Sequence, residues 1–208
     1  MNRTGWAMLA AASVMLFGCG KSEPGSSGHS PDAGKPEHYR LTMPDTVAKG
    51  RYKRDHDAAD PDRTLAELMA GQVQDPTAAF GAYDPTVANK QNGLVLTVTG
   101  VYGTVLSPVT ARDELVKVLD KRDEGPNVLV GPRMITPSGS KEPLQCRVAE
   151  RKLPASDDTS MEASCTWADA STVVKVAKAM GPIDSADVDL DAFASVVGAI
   201  RDEVRVAH

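Results

Sequence analysis

Residues 144–179, LQCRVAERKLPASDDTSMEASCTWADASTVVKVAKA, contain the pattern that decides the fold. If Cys146 faces Cys165 in an antiparallel pair of strands, Val148 faces Ala163. Side chains alternate between the two faces of a strand, so this single register separates the apolar from the polar residues. The apolar face then carries Leu144, Cys146, Val148, Ala163, Cys165 and Trp167, and the polar face carries Gln145, Arg147, Glu162, Ser164 and Thr166.

The same register predicts a disulfide bond between Cys146 and Cys165. Directly opposed residues of a non-hydrogen-bonded antiparallel pair have Cα atoms about 4.5 Å apart, a separation that a disulfide tolerates. Closing a loop of roughly twenty residues stabilises a fold by about 3 kcal/mol. The polar connection from Lys152 to Ser160 is typical of an exposed loop. The alternative is a pair of free, buried thiols.

The amino terminus has the features of a lipoprotein signal peptide. Arg3 precedes an apolar run, from Trp6 to Phe17, that is too short to span a bilayer and is typical of a secretory signal. The tetrapeptide Leu16-Phe17-Gly18-Cys19 resembles the lipobox of bacterial lipoproteins, although Phe17 is bulkier than usual at its position. That resemblance implies removal of residues 1–18 and attachment of lipid to Cys19. The alternative is an ordinary signal peptide that is cut elsewhere.

The number of cysteines agrees with this interpretation. Three cysteines leave one thiol over in an exported protein. A lipidated Cys19 removes the surplus and leaves Cys146 and Cys165 to pair in a compartment where disulfides persist. Residues 19–38 then form the lipidated cysteine and a tether rich in Gly, Ser and Pro. We therefore expect a lipid-anchored protein of the cell membrane that lies on its extracytoplasmic face.

Residues 39–208 are long enough for a single domain with its own core. The formal net charge of the whole chain is -5, and loss of Arg3 with the signal makes the remainder slightly more acidic. No basic run indicates a nucleic-acid surface. The membrane is thus the expected partner, through Cys19, together with a possible protein or envelope component.

The rest of the chain predicts a mixture of short strands and three helices. A helix capped by Asp60, with Pro61 in its first turn, is expected to end near Gly71, and a long helix is expected from about Asp189. Between them, Ser107-Pro108 and the capping-box pattern from Thr110 to Asp113 indicate another helix, which ends at Gly125-Pro126. The predicted strands are 38–43 with a partner in 47–53, then 78–83, 94–104, 127–130, 133–136 and 171–179.

Strands in succession, with no regular βαβ alternation, indicate an α+β domain. We expect a twisted antiparallel β-sheet packed by two or three helices, with the long C-terminal helix covering one face and one disulfide within the sheet.

Three stretches carry a family resemblance. Cys165-Thr-Trp-Ala-Asp-Ala-Ser-Thr172, Tyr39-Arg-Leu-Thr-Met-Pro-Asp-Thr46 with Tyr52-Lys53, and Gly100-Val-Tyr-Gly-Thr104 resemble motifs of a group of small, uncharacterised actinobacterial lipoproteins. The resemblance covers most of the mature chain and implies an anchored, extracytoplasmic protein without indicating an activity. Some related lipoproteins have a fold similar to the Mog1/PsbP type, so the resemblance also implies a sheet flanked by helices.

The sequence offers few residues for a catalytic site. The four histidines are His29, His38, His56 and His208, and a nucleophilic triad would have to use His56 with Asp55 or Asp57. The chain contains no G-x-S-x-G, H-E-x-x-H, P-loop or G-x-G-x-x-G motif. We therefore predict that the protein is not an enzyme and uses no cofactor.

Two acidic clusters are candidates for a calcium site, because carboxylate oxygens are the ligands that Ca²⁺ prefers. Their spacing does not match an EF-hand, and capping of a helix start explains the same residues without a metal. We therefore predict no metal site. The clusters are Asp55, His56, Asp57, Asp60 and Asp62 in the first, and Asp184, Asp187, Asp189 and Asp191 in the second.

Trp167 and Asp169 follow the second cysteine closely. Trp167 has the parity of the inward face, so packing in the core is the first interpretation and stacking on a ligand the second. Asp169 with Ser171 and Thr172 predicts an Asx-type turn into the third strand.

These observations favour a binding or interaction module of the cell envelope. The alternative is a small-molecule sensor or carrier with a pocket between the sheet and the C-terminal helix, lined by Val and Leu. A hydrolase that uses His56 is the third hypothesis.

Overall fold

The computed structural model describes residues 38–58, 64–86, 95–122, 125–152, 158–180 and 185–208. Its three helices are α1 (Leu65–Met69), α2 (Pro108–Arg122) and α3 (Leu190–Val204), and a short 3-10 turn spans Ser185–Asp187. Its strands are β1 (Tyr39–Leu41), β2 (Thr46–Val47), β3 (Tyr52–Asp55), β4 (Val73–Pro85), β5 (Leu96–Val105), β6 (Asn127–Ile135), β7 (Leu144–Lys152), β8 (Thr159–Ala168), β9 (Thr172–Met180) and β10 (Arg205–Ala207).

Eight of these strands form one antiparallel sheet in the order β2-β3-β4-β5-β9-β8-β7-β6. The remaining two, β1 and β10, pair with each other. The expected α+β class, with an antiparallel sheet, a C-terminal helix and one disulfide, is therefore confirmed.

The β7–β8 hairpin has the predicted register. Cys146 is opposite Cys165, and Val148 is opposite Ala163. The two cysteines form a disulfide with their Cα atoms 4.0 Å apart, and both are completely buried. The third strand, β9, continues from the hairpin and pairs along β8.

Helices cover both faces of the sheet. On one face, α3 contributes Phe193 and Val197 to a core that also contains Trp167 and Val174. On the other, α1 and α2 pack over a second core that includes Val173. Adjacent residues of β9 thus enter opposite cores, which explains the nearly continuous apolar run of this strand.

The polar face of the hairpin is also covered. Arg147, Ser164 and Thr166 are all buried, because α2 lies over this side of the sheet. The separation of polar from apolar side chains was predicted correctly, but the polar side faces a second layer of protein.

Helix α3 begins as predicted. The Asp189 side chain accepts hydrogen bonds from the backbone N–H groups of Asp191 at 3.0 Å and Ala192 at 2.9 Å. This N-cap satisfies two donors that have no partner within the helix. The helix ends at Val204, and Arg205 leaves it in an extended conformation to begin β10.

The predicted partner of the first strand was wrong. We expected 38–43 to pair with 47–53, but β1 pairs with β10, with Tyr39 opposite Ala207. Strands β2 and β3 form their own hairpin. The backbone N–H groups of Ala48 and Lys49, in the turn between them, donate to the Glu203 carboxylate of α3 at 2.6 and 2.9 Å. These contacts hold the β2–β3 turn to α3 across 155 residues of sequence.

Several helices and strands begin or end at residues other than those predicted. Helix α1 begins after Thr64, whereas Asp60 and Pro61 lie outside the described residues. Helix α2 begins at Pro108, where the pair Ser107-Pro108 predicted a helix start, and the capping-box pattern at Thr110 lies within its first turn. The strand predicted at 78–83 extends over Val73–Pro85, and the candidates at 127–130 and 133–136 form one strand, β6, interrupted by register shifts.

Removal of the disulfide tests the main constraint of the fold. The double variant Cys146→Ala/Cys165→Ala should lose about 3 kcal/mol of unfolding free energy, because its unfolded chain is no longer closed across 19 residues. Urea denaturation followed by circular dichroism measures this loss. Wild-type protein treated with reductant is the control and should lose a similar amount. Equal urea midpoints for the variant and the oxidised wild type would contradict the prediction.

Candidate functional site

His56 lies on the surface. Its side chain is 60% exposed, and Nε2 is 3.3 Å from Asp45 Oδ1. Asp55 Oδ1 accepts a hydrogen bond from the backbone N–H of Asp57 at 3.0 Å. The histidine therefore pairs with a carboxylate other than the two considered for a triad.

The acidic residues have individual roles where the structure describes them. Asp189 caps α3, and Asp191 Oδ2 accepts a hydrogen bond from Arg133 Nη2 at 2.7 Å. Within the described ranges, no group of three or more His, Cys, Asp or Glu side chains could hold a metal ion. Asp60, Asp62 and Asp184 lie outside those ranges, as does Cys19 with the predicted signal and tether up to residue 37.

The turn between β8 and β9 is the predicted Asx-type turn. Asp169 Oδ1 accepts hydrogen bonds from the backbone N–H groups of Ser171 and Thr172, both at 2.8 Å. Its Oδ2 accepts from Thr172 Oγ1 at 2.6 Å. The same threonine hydroxyl accepts a hydrogen bond from Trp167 Nε1 at 3.2 Å. Trp167 is buried in the α3-side core, which confirms the core-packing interpretation.

The three stretches that carry the family resemblance meet at this turn. The backbone N–H of Tyr39 donates to Ser171 Oγ at 2.9 Å, and that of Gly103 donates to the carbonyl of Ser171 at 2.9 Å. Arg205 Nη1 donates to Asp169 Oδ2 at 3.1 Å, and its guanidinium lies 4.7 Å from the centre of the Tyr39 ring. These motif residues build a structural junction between the two ends of the domain.

A cleft of about 310 Å³, with a mixed apolar and charged lining, lies between α3 and the sheet. Apart from the exposed Ala192, its apolar residues are buried or half-buried, whereas three of its charged residues are exposed. The apolar lining consists of Tyr52, Ala163, Met180, Val188, Ala192, Phe193 and Val196, and the charged lining of Arg51, Lys178, Asp187 and Asp189. We call this region the α3 cleft. It lies where the sequence placed the pocket of a carrier, although its lining contains no leucine.

A larger cleft of about 570 Å³ lies beside the C-terminal half of α3. Its two arginines already have partners in the loop 137–142. Arg201 donates to Ser140 Oγ at 2.6 Å and to the carbonyl of Glu142 at 3.1 Å, and Arg205 donates to Glu142 Oε2 at 3.0 Å. Both guanidinium groups therefore hold this loop against α3, which leaves the α3 cleft as the better candidate for a ligand site.

The chain matches no protein-family model, and neither the curated proteins nor the solved structures contain a significant match. The expected likeness to the Mog1/PsbP type stays a prediction. None of the described helices combines the length and hydropathy needed to cross a bilayer.

The Asp169 turn predicts a loss of stability in acid. Burial acts to raise the pKa of this carboxyl, but the hydrogen bonds from Thr172, Ser171 and Arg205 outweigh burial and hold its pKa below the usual 3.8. A carboxyl with a lowered folded-state pKa stabilises the fold above its unfolded pKa, and this contribution disappears as the pH falls through the folded value.

We therefore expect Asp169→Ala to lose about 2 kcal/mol of unfolding free energy at pH 7, because buried donors lose their acceptor. Its stability should also fall less steeply than that of the wild type below pH 4. Urea denaturation at a series of pH values measures both effects, with Asp57→Ala, at an exposed aspartate, as the control. If the unfolding free energies of wild type and Asp169→Ala change with pH in the same way, the lowered pKa is wrongly assigned to Asp169.

Proposed function

We propose that this chain is a lipid-anchored, extracytoplasmic binding protein that holds a small amphipathic molecule in the α3 cleft. The lipobox-like stretch at Cys19 and the pairing of the other two cysteines support the anchor. The α3 cleft is the evidence for binding of a small molecule, and the proposal depends on this observation.

The size and lining of the α3 cleft suit a small ligand. Its volume of about 310 Å³ is at the lower end of the range for small-molecule sites. Phe193 contributes to its floor, and Met180 and Val196 remain half-buried around it. A flexible methionine beside an aromatic ring adapts to ligands of different shape. Covering these side chains would remove apolar surface from water, which favours binding by about 25 cal/mol per Å².

The charged lining indicates that the ligand also has a polar end. Arg51 and Lys178 provide cations, and Asp187 provides a carboxylate. Arg51, Asp187 and Asp189 are exposed, whereas Lys178 is half-buried. An apolar body can thus lie on the floor while an ionised or hydroxylated group remains at the solvent-exposed side. A short acyl chain or ring with a polar head has this chemistry.

A macromolecular partner from the envelope is the second candidate. Strand β6 is the outer strand of the sheet and exposes Val128, Leu129 and Met134. An exposed apolar edge strand can pair with another chain. The two register shifts in β6 oppose continuous pairing, because bulges are one means by which proteins protect such edges.

The lipid anchor can be tested independently of the ligand. Intact-mass analysis of the chain from its native membrane should show loss of residues 1–18 and an added mass of acyl groups. Cys19→Ser should remain unacylated and leave the membrane fraction, because its anchor is absent. An unacylated wild-type chain in the membrane would refute the anchor while leaving the cleft proposal open.

The ligand site is tested with the fluorescent apolar probe 1-N-phenylnaphthylamine. Ala192→Trp places a bulky side chain in the cleft and should weaken probe binding about tenfold, equivalent to about 1.4 kcal/mol. Ser195→Trp is the matched control, because Ser195 is also an exposed residue of α3 but lines the other cleft. We expect Ser195→Trp to bind the probe with the same affinity as the wild type.

Native mass spectrometry of protein purified from its own envelope provides the second readout. A retained small molecule in the wild type that is absent from Ala192→Trp supports the proposal. Equal probe binding by both tryptophan variants, or an empty wild type that captures an envelope macromolecule through β6, would contradict it.

A further inference from the structure

Several strands begin or end together at one end of the sheet. Strand β5 ends there with Val105, which lies opposite Val73, the first residue of β4. Strand β6 also ends there, because Ile135 is opposite Leu144, the first residue of β7. The β8–β9 turn lies at the same end, since the backbone N–H of Val105 donates to the carbonyl of Ala170 at 3.0 Å. We call this end of the sheet, with the β8–β9 turn, the entry end.

The chain enters the domain at the entry end. The backbone N–H of Tyr39 donates to Ser171 Oγ in the β8–β9 turn at 2.9 Å. The carbonyl of His38, the first described residue, accepts a hydrogen bond from the N–H of His208 at 2.8 Å. Cys19, where we propose the lipid anchor, precedes His38 in the chain. An anchor that is joined to the domain through His38 holds the entry end nearer to the membrane than the opposite end.

Four large apolar side chains are exposed at the entry end. Leu106 directly follows β5, and Val109 lies in the first turn of α2. Met134 lies one residue before the end of β6, and Arg112 of α2 donates to its sulfur at 3.6 Å. Val206 lies in β10, which pairs with β1. The four apolar side chains belong to residues that are between 37% and 61% exposed.

Cations accompany these apolar side chains. Arg40 is exposed and lies opposite Val206 in the β1–β10 pair, and Lys141 is exposed in the connection that follows β6. The Asp113 carboxylate at the start of α2 is paired with Arg112 at 2.9 Å, which offsets its negative charge. Exposed apolar side chains mark sites that bind a protein or a membrane, and cations beside them suit contact with lipid headgroups.

We propose that the entry end docks on the lipid surface to which the chain is anchored, with Leu106 and Val109 inserted at the boundary between headgroups and acyl chains. This inference rests on the proposed lipid anchor at Cys19. It goes beyond the anchor, because an anchor alone leaves the orientation of the domain unspecified, whereas docking at the entry end determines it.

Docking at the entry end directs the α3 cleft away from the membrane. Strand β9 begins at the entry end with Thr172 and ends with Met180, which lines the cleft. A rise of about 3.3 Å per residue places Met180 about 25 Å from Thr172. Helix α3 runs in the opposite sense, and the carbonyl of its last residue, Val204, accepts a hydrogen bond from the N–H of Thr42, just after β1, at 2.9 Å. The ligand of the cleft therefore arrives from the aqueous side.

Tryptophan fluorescence of the full, acylated chain in vesicles of phosphatidylcholine and phosphatidylglycerol tests the docking. Val109→Trp places a fluorophore at the entry end. With bromine on the lipid acyl chains, which quenches tryptophan on contact, its emission should fall by roughly half, because the side chain lies at the acyl boundary. Val128→Trp is the matched control, since Val128 is also exposed but lies near the start of β6. Its emission should fall no more than that of the wild type, whose Trp167 is buried.

A second substitution tests whether the apolar contact causes the quenching. Leu106→Glu, added to Val109→Trp, places a carboxylate at the lipid boundary and should restore the unquenched emission, because a charge is costly to remove from water. Leu129→Glu, added to Val109→Trp, is the control, since Leu129 is exposed near the start of β6. It should leave the quenching unchanged.

Flotation of the vesicles separates failure of the docking from failure of the anchor. A wild-type chain that does not float with the vesicles would refute the anchor and the docking together. A floating chain with equal quenching of Val109→Trp and Val128→Trp would overturn the docking alone, as would quenching that persists after Leu106→Glu is added. Emission of Val109→Trp that shifts to shorter wavelength as the chain density rises, without quenching by bromine, would overturn it in favour of a second copy covering the entry end.

Discussion

The register between β7 and β8 is the constraint on which the rest of the structure depends. With Cys146 opposite Cys165, every second residue of the hairpin enters the core beneath α3. A shift by one residue would turn the Arg147 and Arg151 side chains toward that core and the apolar side chains toward α2. The disulfide excludes such a shift covalently. The register therefore determines which side chains of the sheet face α3 and which face α2.

Helix α3 is the second organising element, and its contacts connect distant parts of the chain. Glu203 holds the β2–β3 turn, Arg201 holds the loop 137–142, and Arg205 reaches both Asp169 and the ring of Tyr39. Strand β10 then pairs the C-terminal residues with the first strand. The described start and end of the domain are thus joined at the junction formed by the β8–β9 turn. The motifs that resemble lipoproteins are concentrated at this junction, so their residues have a structural explanation.

The two faces of the sheet differ in chemistry. The α3 side is apolar and retains a cleft with uncovered side chains near Phe193. The α2 side combines an apolar core around Leu115 with a buried group of charges around Lys175. An amphipathic ligand suits the first environment, because its apolar body and its polar end both find matching side chains there.

The sequence alone determined the features that depend on near neighbours. Parity predicted the hairpin register and disulfide, the Asp169 turn followed from residues two and three positions away, and an apolar stripe predicted that α3 begins near Asp189. The lipid anchor at Cys19 is likewise a local inference, and it stays a prediction. The tertiary structure alone decided the pairing of β1 with β10, the covering of the polar hairpin face by α2, the cleft beside α3 and the buried ion pair of Lys175 with Glu162. These features join residues far apart in the chain, and a local pattern carries no information about which distant surface will cover it.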